Sequence, residues 1–183
     1  MEVRLAAPIG ADFAPTRGSG RPGVPDEVRQ LERTSDYVIS TWRRVLFLGW
    51  RGPETVAGIL RSRSLMEPWA ADKQEGVLLA ILMPPKGALH GPPSAETRRA
   101  MANASRDAPP AFKGIAIIGS DQGFIGSVIR SVMTAQHMFV RSSVPFKMFS
   151  SAAEAAPWIA RRLELQTDLR SDFAAAAENA TWK

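Results

Sequence analysis

The sequence predicts an α/β fold, a mixed, mostly parallel β-sheet with flanking helices in the order β-β-α-β-α-β-α-β-α. Three observations carry this expectation. Between about Asp36 and Leu165, short β-prone runs alternate with helix-period runs across short loops. Val77 to Met83 and Ile115 to Ile118 contain no polar residue, as strands covered on both faces do. After Gly119, apolar residues at Ile125, Val128, Ile129, Val132, Met133 and Phe139 follow the 3.6-residue period closely.

Residues 1–35 read as a flexible Pro/Gly-rich tail, because Pro8, Gly10, Pro15, Gly18, Gly20, Pro22, Gly23 and Pro25 interrupt every periodic pattern. Disorder is expected to about Pro25. Asp26 to Arg33 then predicts a short helix with Val28 and Leu31 on one side, and the ordered domain is expected from Asp36.

Tyr37 to Trp42 and Val45 to Trp50 are two β-prone runs joined at Arg43-Arg44. They form either a tight hairpin or one long bent strand, since Arg-Arg is poor chemistry for a primed turn. Gly52-Pro53 opens a helix whose apolar face is Val56, Ile59, Leu60 and Met66, with Glu54, Arg61 and Ser62 turned to water. The strand from Val77 ends at Pro84-Pro85. A Gly/Pro-rich loop, Lys86 to Pro93, leads to Ser94, a good N-cap for a helix to about Arg106. Met101 is that helix's only large apolar residue, which predicts a peripheral position.

The Ile115 strand and the strongly patterned helix after it lead to a short strand, Phe146 to Phe149. Ser151-Ala152-Ala153-Glu154 then matches a capping box, and Ala155, Trp158, Ile159 and Leu163 carry the next helix onto the sheet. Parallel connections are expected to be right-handed. The α/β domain spans 36–165, and 166–183 is a C-terminal helical extension. There Leu165, Leu169 and Phe173 recur every four residues, so the extension either packs back on its own domain or binds a second subunit.

Composition narrows the function classes. The chain has 183 residues, no cysteine and a net charge of +5. Without cysteine there are no disulfides, thiolate metal sites or cysteine nucleophiles, which suits a cytoplasmic protein. The first residues show no basic region followed by a long apolar stretch, so no signal peptide is expected. The longest strongly apolar run, Val77 to Met83, is too short to span a bilayer. The charge excess falls in residues 36–165, as the pairs Arg43-Arg44, Arg98-Arg99 and Arg161-Arg162. These lie at the expected hairpin and on two separate helices, with Tyr37 the only tyrosine, which favours a solvated surface over a nucleic-acid interface.

The strand from Val45 closing in Trp50-Arg51-Gly52, the Val77 to Met83 strand and the ending Phe146-Lys147-Met148-Phe149-Ser150-Ser151-Ala152-Ala153-Glu154-Ala155-Ala156-Pro157-Trp158-Ile159 resemble bacterial STAS-like domains. The resemblance is to the SpoIIAA-like branch, related to a group of lipid-binding folds, and covers roughly residues 36–163. It implies a regulatory docking module, in some members switched by phosphorylation of a serine opening the helix after the third strand. Ser94 stands at that place here, in Pro92-Pro93-Ser94-Ala95-Glu96 and without the family's flanking Asp and Gly. Its other reading is a plain helix N-cap.

Few residues suggest chemistry. Gly119 to Gly126 lies between a strand and a helix, where backbone amides can cradle an anion. Gly119, Ser120, Gln122, Gly123 and Arg130 are the candidate ligand contacts. The glycine spacing matches neither a dinucleotide fingerprint nor a P-loop, so a plain turn is the competing reading. His90 and His137 lack metal-ligand spacing. A triad of Ser94, His90 and Asp121 has no G-x-S-x-G context. Trp69, which follows Pro68, is a candidate partner contact together with Leu169 and Phe173.

The resulting expectation is a non-enzymatic STAS-like regulatory or protein-interaction module. Its partner is another protein or a second copy, with no cofactor, metal, nucleic acid or membrane span. The alternative is a binder of a small anionic ligand, a nucleotide or a lipid, through the Gly119–Gly126 loop.

Overall fold

The computed structural model describes residues 27–83, 94–119, 144–165 and 169–180. Strands β1 (Arg29–Arg33), β2 (Tyr37–Trp42), β3 (Val45–Trp50), β4 (Val77–Leu82), β5 (Phe112–Ile118) and β6 (Phe146–Phe149) form one mixed sheet. They stand side by side in chain order. The pairs β1–β2 and β2–β3 are antiparallel, and β3 through β6 are parallel. Four helices are described: α1 (Val56–Ala71), α2 (Ala95–Arg106), α3 (Ala152–Arg162) and α4 (Arg170–Asn179). This is the α/β class that the alternating runs predict. The expected helix from Ile125 to Phe139 lies outside the described residues.

Alternation along the strands sorts the core into two layers. Leu46, Leu48 and Trp50 of β3, with Val77 and Leu79 of β4 and Ile115 and Ile117 of β5, face α1 and α2. Val45, Phe47, Leu78, Ala80, Leu82, Ala116 and Ile118 face α3 and α4. Register aligns Leu46 with Leu79 and Leu79 with Ile115, while Phe47 pairs with Ala80 and Ala80 with Ala116. Each row therefore crosses the three central strands on one face. With burial on both sides, polar residues have no place in β4, which explains its unbroken apolar run.

Tyr37 to Trp50 is a hairpin, not one bent strand: Trp42 pairs with Val45 across Arg43-Arg44. Arg43 takes a left-handed backbone conformation (φ 51°), a place where glycine would be unstrained. The two guanidinium groups are nonetheless anchored. Arg43 lies over the Trp42 ring, 4.7 Å from its centroid, and Arg44 donates to the carbonyl oxygens of Glu75 and Leu163. Arg44 thus ties the hairpin to the start of β4 and the end of α3.

The short helix expected over Asp26 to Arg33 is instead the edge strand β1. Val28 packs into one layer and Leu31 into the other. A three-residue spacing puts two side chains on one side of a helix but on opposite faces of a strand, and burial in both layers selects the strand. Glu32 of β1 accepts from the Tyr37 hydroxyl at 2.5 Å and from Arg61 Nε at 2.9 Å, fastening the edge to β2 and α1. Burial and the Glu32 carboxylate push the Tyr37 phenol up to about 12.

The serine and glutamate of the capping box both act, with one shift of partner. Ser151 Oγ accepts from the Glu154 N–H at 3.2 Å, and the Glu154 carboxylate accepts from the Ser150 N–H at 2.9 Å. The C-terminal extension belongs to the core. Leu169 and Phe173 are buried, with the Phe173 ring 5.5 Å from Phe47 and 6.0 Å from Trp42.

Gly114 is the position where α3 meets the sheet most closely. A Cβ there would lie 2.7 Å from Cη2 of Trp158. Gly114→Ala is expected to displace that ring and destabilise the fold by about 1–3 kcal/mol, a fall in Tm of roughly 2–10 °C. Calorimetry of the two proteins checks it, and an unchanged Tm would contradict the close packing of Trp158 on β5.

Candidate functional site

The layer beneath α1 and α2 is incompletely filled. Large side chains of the sheet, Leu48, Trp50, Leu79, Ile81 and Ile115, form its floor. α2 brings Ala100, Met101 and Ala104 to this layer, followed by Ala108. Ala100 and Ala104 sit four residues apart and so share one face of α2, and Ala108 follows just past its C-cap. A helix with so small a face cannot fill the space that α1 leaves, and a cavity of about 110 Å³ remains between α1, α2 and the sheet.

Its α1 wall carries Ile59, Ser62 and Met66. Ser62 was expected to face water, yet it is 1% exposed, and its hydroxyl donates to the Gly58 carbonyl at 2.7 Å. Leu60, expected on the apolar face, is 58% exposed. Gly58 explains the rotation of this helix. A Cβ at Gly58 would sit 2.7 Å from Cη2 of Trp50, so only the Gly58–Ser62 side of α1 can lie on β3. Thr55 sets the start, its hydroxyl accepting from the Gly58 N–H at 3.1 Å.

Charged groups stand at the rim. Arg63 pairs with Glu67 one turn on, and its other end reaches Asp107 Oδ2 at 3.5 Å, bridging α1 to the end of α2. Glu54, on the connection from β3 to α1, also lines the cavity. No described cation pairs with it. Burial raises its carboxyl above the ordinary range, opposed in part by a hydrogen bond from its own backbone N–H. The site is thus an apolar recess with one carboxyl in its wall that no described cation pairs.

The residues singled out from the sequence do not gather here. Ser94 opens α2 as its N-cap, with Oγ accepting from the Thr97 N–H at 3.1 Å. Gly119 ends β5 and donates its N–H to the Phe149 carbonyl at 3.0 Å, so that amide is engaged in the sheet. Ser120, Gln122, Gly123 and Arg130 lie outside the described residues, as do His90 and His137. Trp69 is half-buried against the α1–α2 layer, with Lys73 Nζ 4.6 Å from its ring centroid. Leu169 and Phe173, buried in the chain's own core, are corrected from partner contacts to core residues: packing back wins because Trp42 and Phe47 offer them an aromatic face. Among the described residues no group of three or more His, Asp or Glu could hold a metal, and no helix is long and apolar enough to cross a membrane.

Sequence reasoning missed Glu54, treating it as a water-facing residue. The available signal was the small residues Ala100 and Ala104 on α2 and Ala108 just after it, which mark an underfilled layer. Compared with family models, with curated proteins and with solved structures, the chain matches none.

Glu54 has a definite pH signature. Its folded value lies above the ordinary 4.5, so the folded chain binds this proton more tightly than the unfolded chain. Its contribution to stability is present below about pH 4.5 and is lost as pH rises through the folded value. Glu54→Gln is therefore expected to gain stability relative to the parent as pH rises above about 4.5 and to lose that gain below it. Parallel Tm-against-pH curves check this; two curves of constant separation would contradict it.

Proposed function

We propose that the chain is a non-enzymatic, cytoplasmic regulatory module of STAS-like type that binds a small, largely apolar molecule between α1 and α2. The observation that carries the reading is the 110 Å³ cavity, walled by apolar side chains of three elements and with few polar groups at its edge. Small-molecule sites have this composition: an apolar recess for affinity and a few polar groups for orientation. The polar groups favour binding over turnover. Ser62 is committed to Gly58, and Arg63 to Glu67 and Asp107, which leaves Glu54 and the Ser105 hydroxyl of α2 as the other polar groups of the lining, with no histidine beside them.

The regulatory part of the proposal rests on the resemblance and on the position of Ser94. That serine caps α2, the helix whose small face bounds the cavity, so a charge added there acts on the wall of the site. The anionic-ligand reading through Gly119 to Gly126 draws no support from Gly119, whose amide is engaged by Phe149.

The test is thermal denaturation of the full chain with benzyl alcohol, a probe whose ring is suited to a recess of this size. Ala104→Leu fills the cavity, so it is expected to raise stability by roughly 0.5–2 kcal/mol and to abolish the probe's effect. The parent is expected to gain Tm in proportion to the logarithm of probe concentration once the site is near saturation. An equal response in both proteins would place binding elsewhere, and no response in either would overturn the reading.

A further inference from the structure

Resting on the binding role just proposed, we infer that the ligand class is an organic ammonium, an apolar body of about benzene size carrying one cationic nitrogen held by Glu54. Size limits the apolar part. A fully enclosed cavity of roughly 150 Å³ accepts benzene, and this one, at about 110 Å³, is smaller but bounded in part by the partly exposed Arg63 and Glu67.

Charge selects the head group. Three charged residues line the recess, Glu54, Arg63 and Glu67. Arg63 and Glu67 satisfy each other, and Asp107 takes the remaining reach of Arg63. An anionic ligand would have to displace one of these carboxylates from Arg63. A cation needs no such exchange, because Glu54 has no cationic partner among the described residues. Trp50, 3% exposed, lines the same recess, and aromatic faces attract ammonium groups. The chain's net charge of +5 opposes a cation only at long range, where salt screens beyond about 10 Å. At the site itself the nearest unpaired charge decides.

The proton on Glu54 then competes with the ligand. Burial favours the neutral carboxyl, whereas an ammonium alongside favours the carboxylate, so binding strengthens as pH rises through the folded value of Glu54. Of the titratable groups that line the recess with Glu54, α1 contributes Arg63 and Glu67. The end of α2 contributes Asp107 through Arg63, and β3, β4 and β5 present only apolar side chains to the recess.

Calorimetric titration of the full chain with benzylammonium, benzyl alcohol and benzoate tests this. Benzylammonium is expected to bind about tenfold or more tightly than benzyl alcohol at about pH 8. The margin is expected to shrink to about twofold or less near pH 4, and in Glu54→Gln at both pH values, while Glu96→Gln, which removes an exposed carboxylate of the first turn of α2 outside the recess, keeps it. Equal binding of the cation and the alcohol, or a preference for benzoate, would overturn the ammonium assignment and leave the binding role standing. No binding of any of the three to the parent would remove the binding role itself.

Discussion

Strands β3, β4 and β5 are buried on both faces, and their residues divide by parity into a face with gaps and a face without. On one side the row Val45, Leu78, Gly114 and the row Phe47, Ala80, Ala116 each contain a small residue. On the other, the rows Leu46, Leu79, Ile115 and Leu48, Ile81, Ile117 are large throughout. Helices must complement what the sheet offers, since a core packs to near-crystalline density. α3 and α4 therefore bring aromatics to the first face: Trp158 lies over Gly114, and Phe173 stacks near Phe47. The large face demands small helix residues, which α1 provides at Gly58 and Ser62 and α2 at its alanines.

The two helices meet that demand differently. α1 rests directly on Trp50 through Gly58, so no gap lies between Gly58 and that ring. α2 turns Ala100 and Ala104 inward beside Met101, and the volume between the two helices is left open. A recess of 110 Å³, open in part to solvent at Arg63 and Glu67, deprives its apolar lining of packing contacts. The cavity follows from side-chain size on the strands and on α2 together, not from either alone.

Strong one-dimensional signals survive into the structure because burial reinforces them. The runs at Val45, Val77 and Ile115 are central strands, and Ser94 and Ser151 cap helices, since each signal is local and uncontested. Three features were not legible for a common reason: the deciding contact is with a different element of the fold. Hydropathy ranks Leu60 above Ser62, but the approach to Trp50 turns Gly58 and Ser62 inward and leaves Leu60 in water. Val28 and Leu31 match a helical spacing, yet each finds a different layer. The candidate site shares this difficulty, since it joins Glu54, Ser62 and Ala104 from three separate segments.

Glu54 is unusual within this chain's own electrostatics. Glu32 is held below its ordinary range by Arg61, Glu154 by the hydrogen bonds of Ser150, and Glu67 and Asp107 share Arg63. Among the described residues, only near the cavity does a partly buried carboxyl stand without such a partner, and there burial raises its value. Two local departures from good packing and good pairing thus occur at one place, and each has a one-residue remedy, a larger side chain at Ala104 or an amide at Glu54. Stability alone favours both remedies. A molecule that fills the volume and neutralises the carboxylate removes both deficits at once, and in doing so it fastens α1 to α2. Its binding free energy then favours one spacing of these helices over others, which is how occupancy of the recess would reach the Ser94 end of α2 without any change in the sheet.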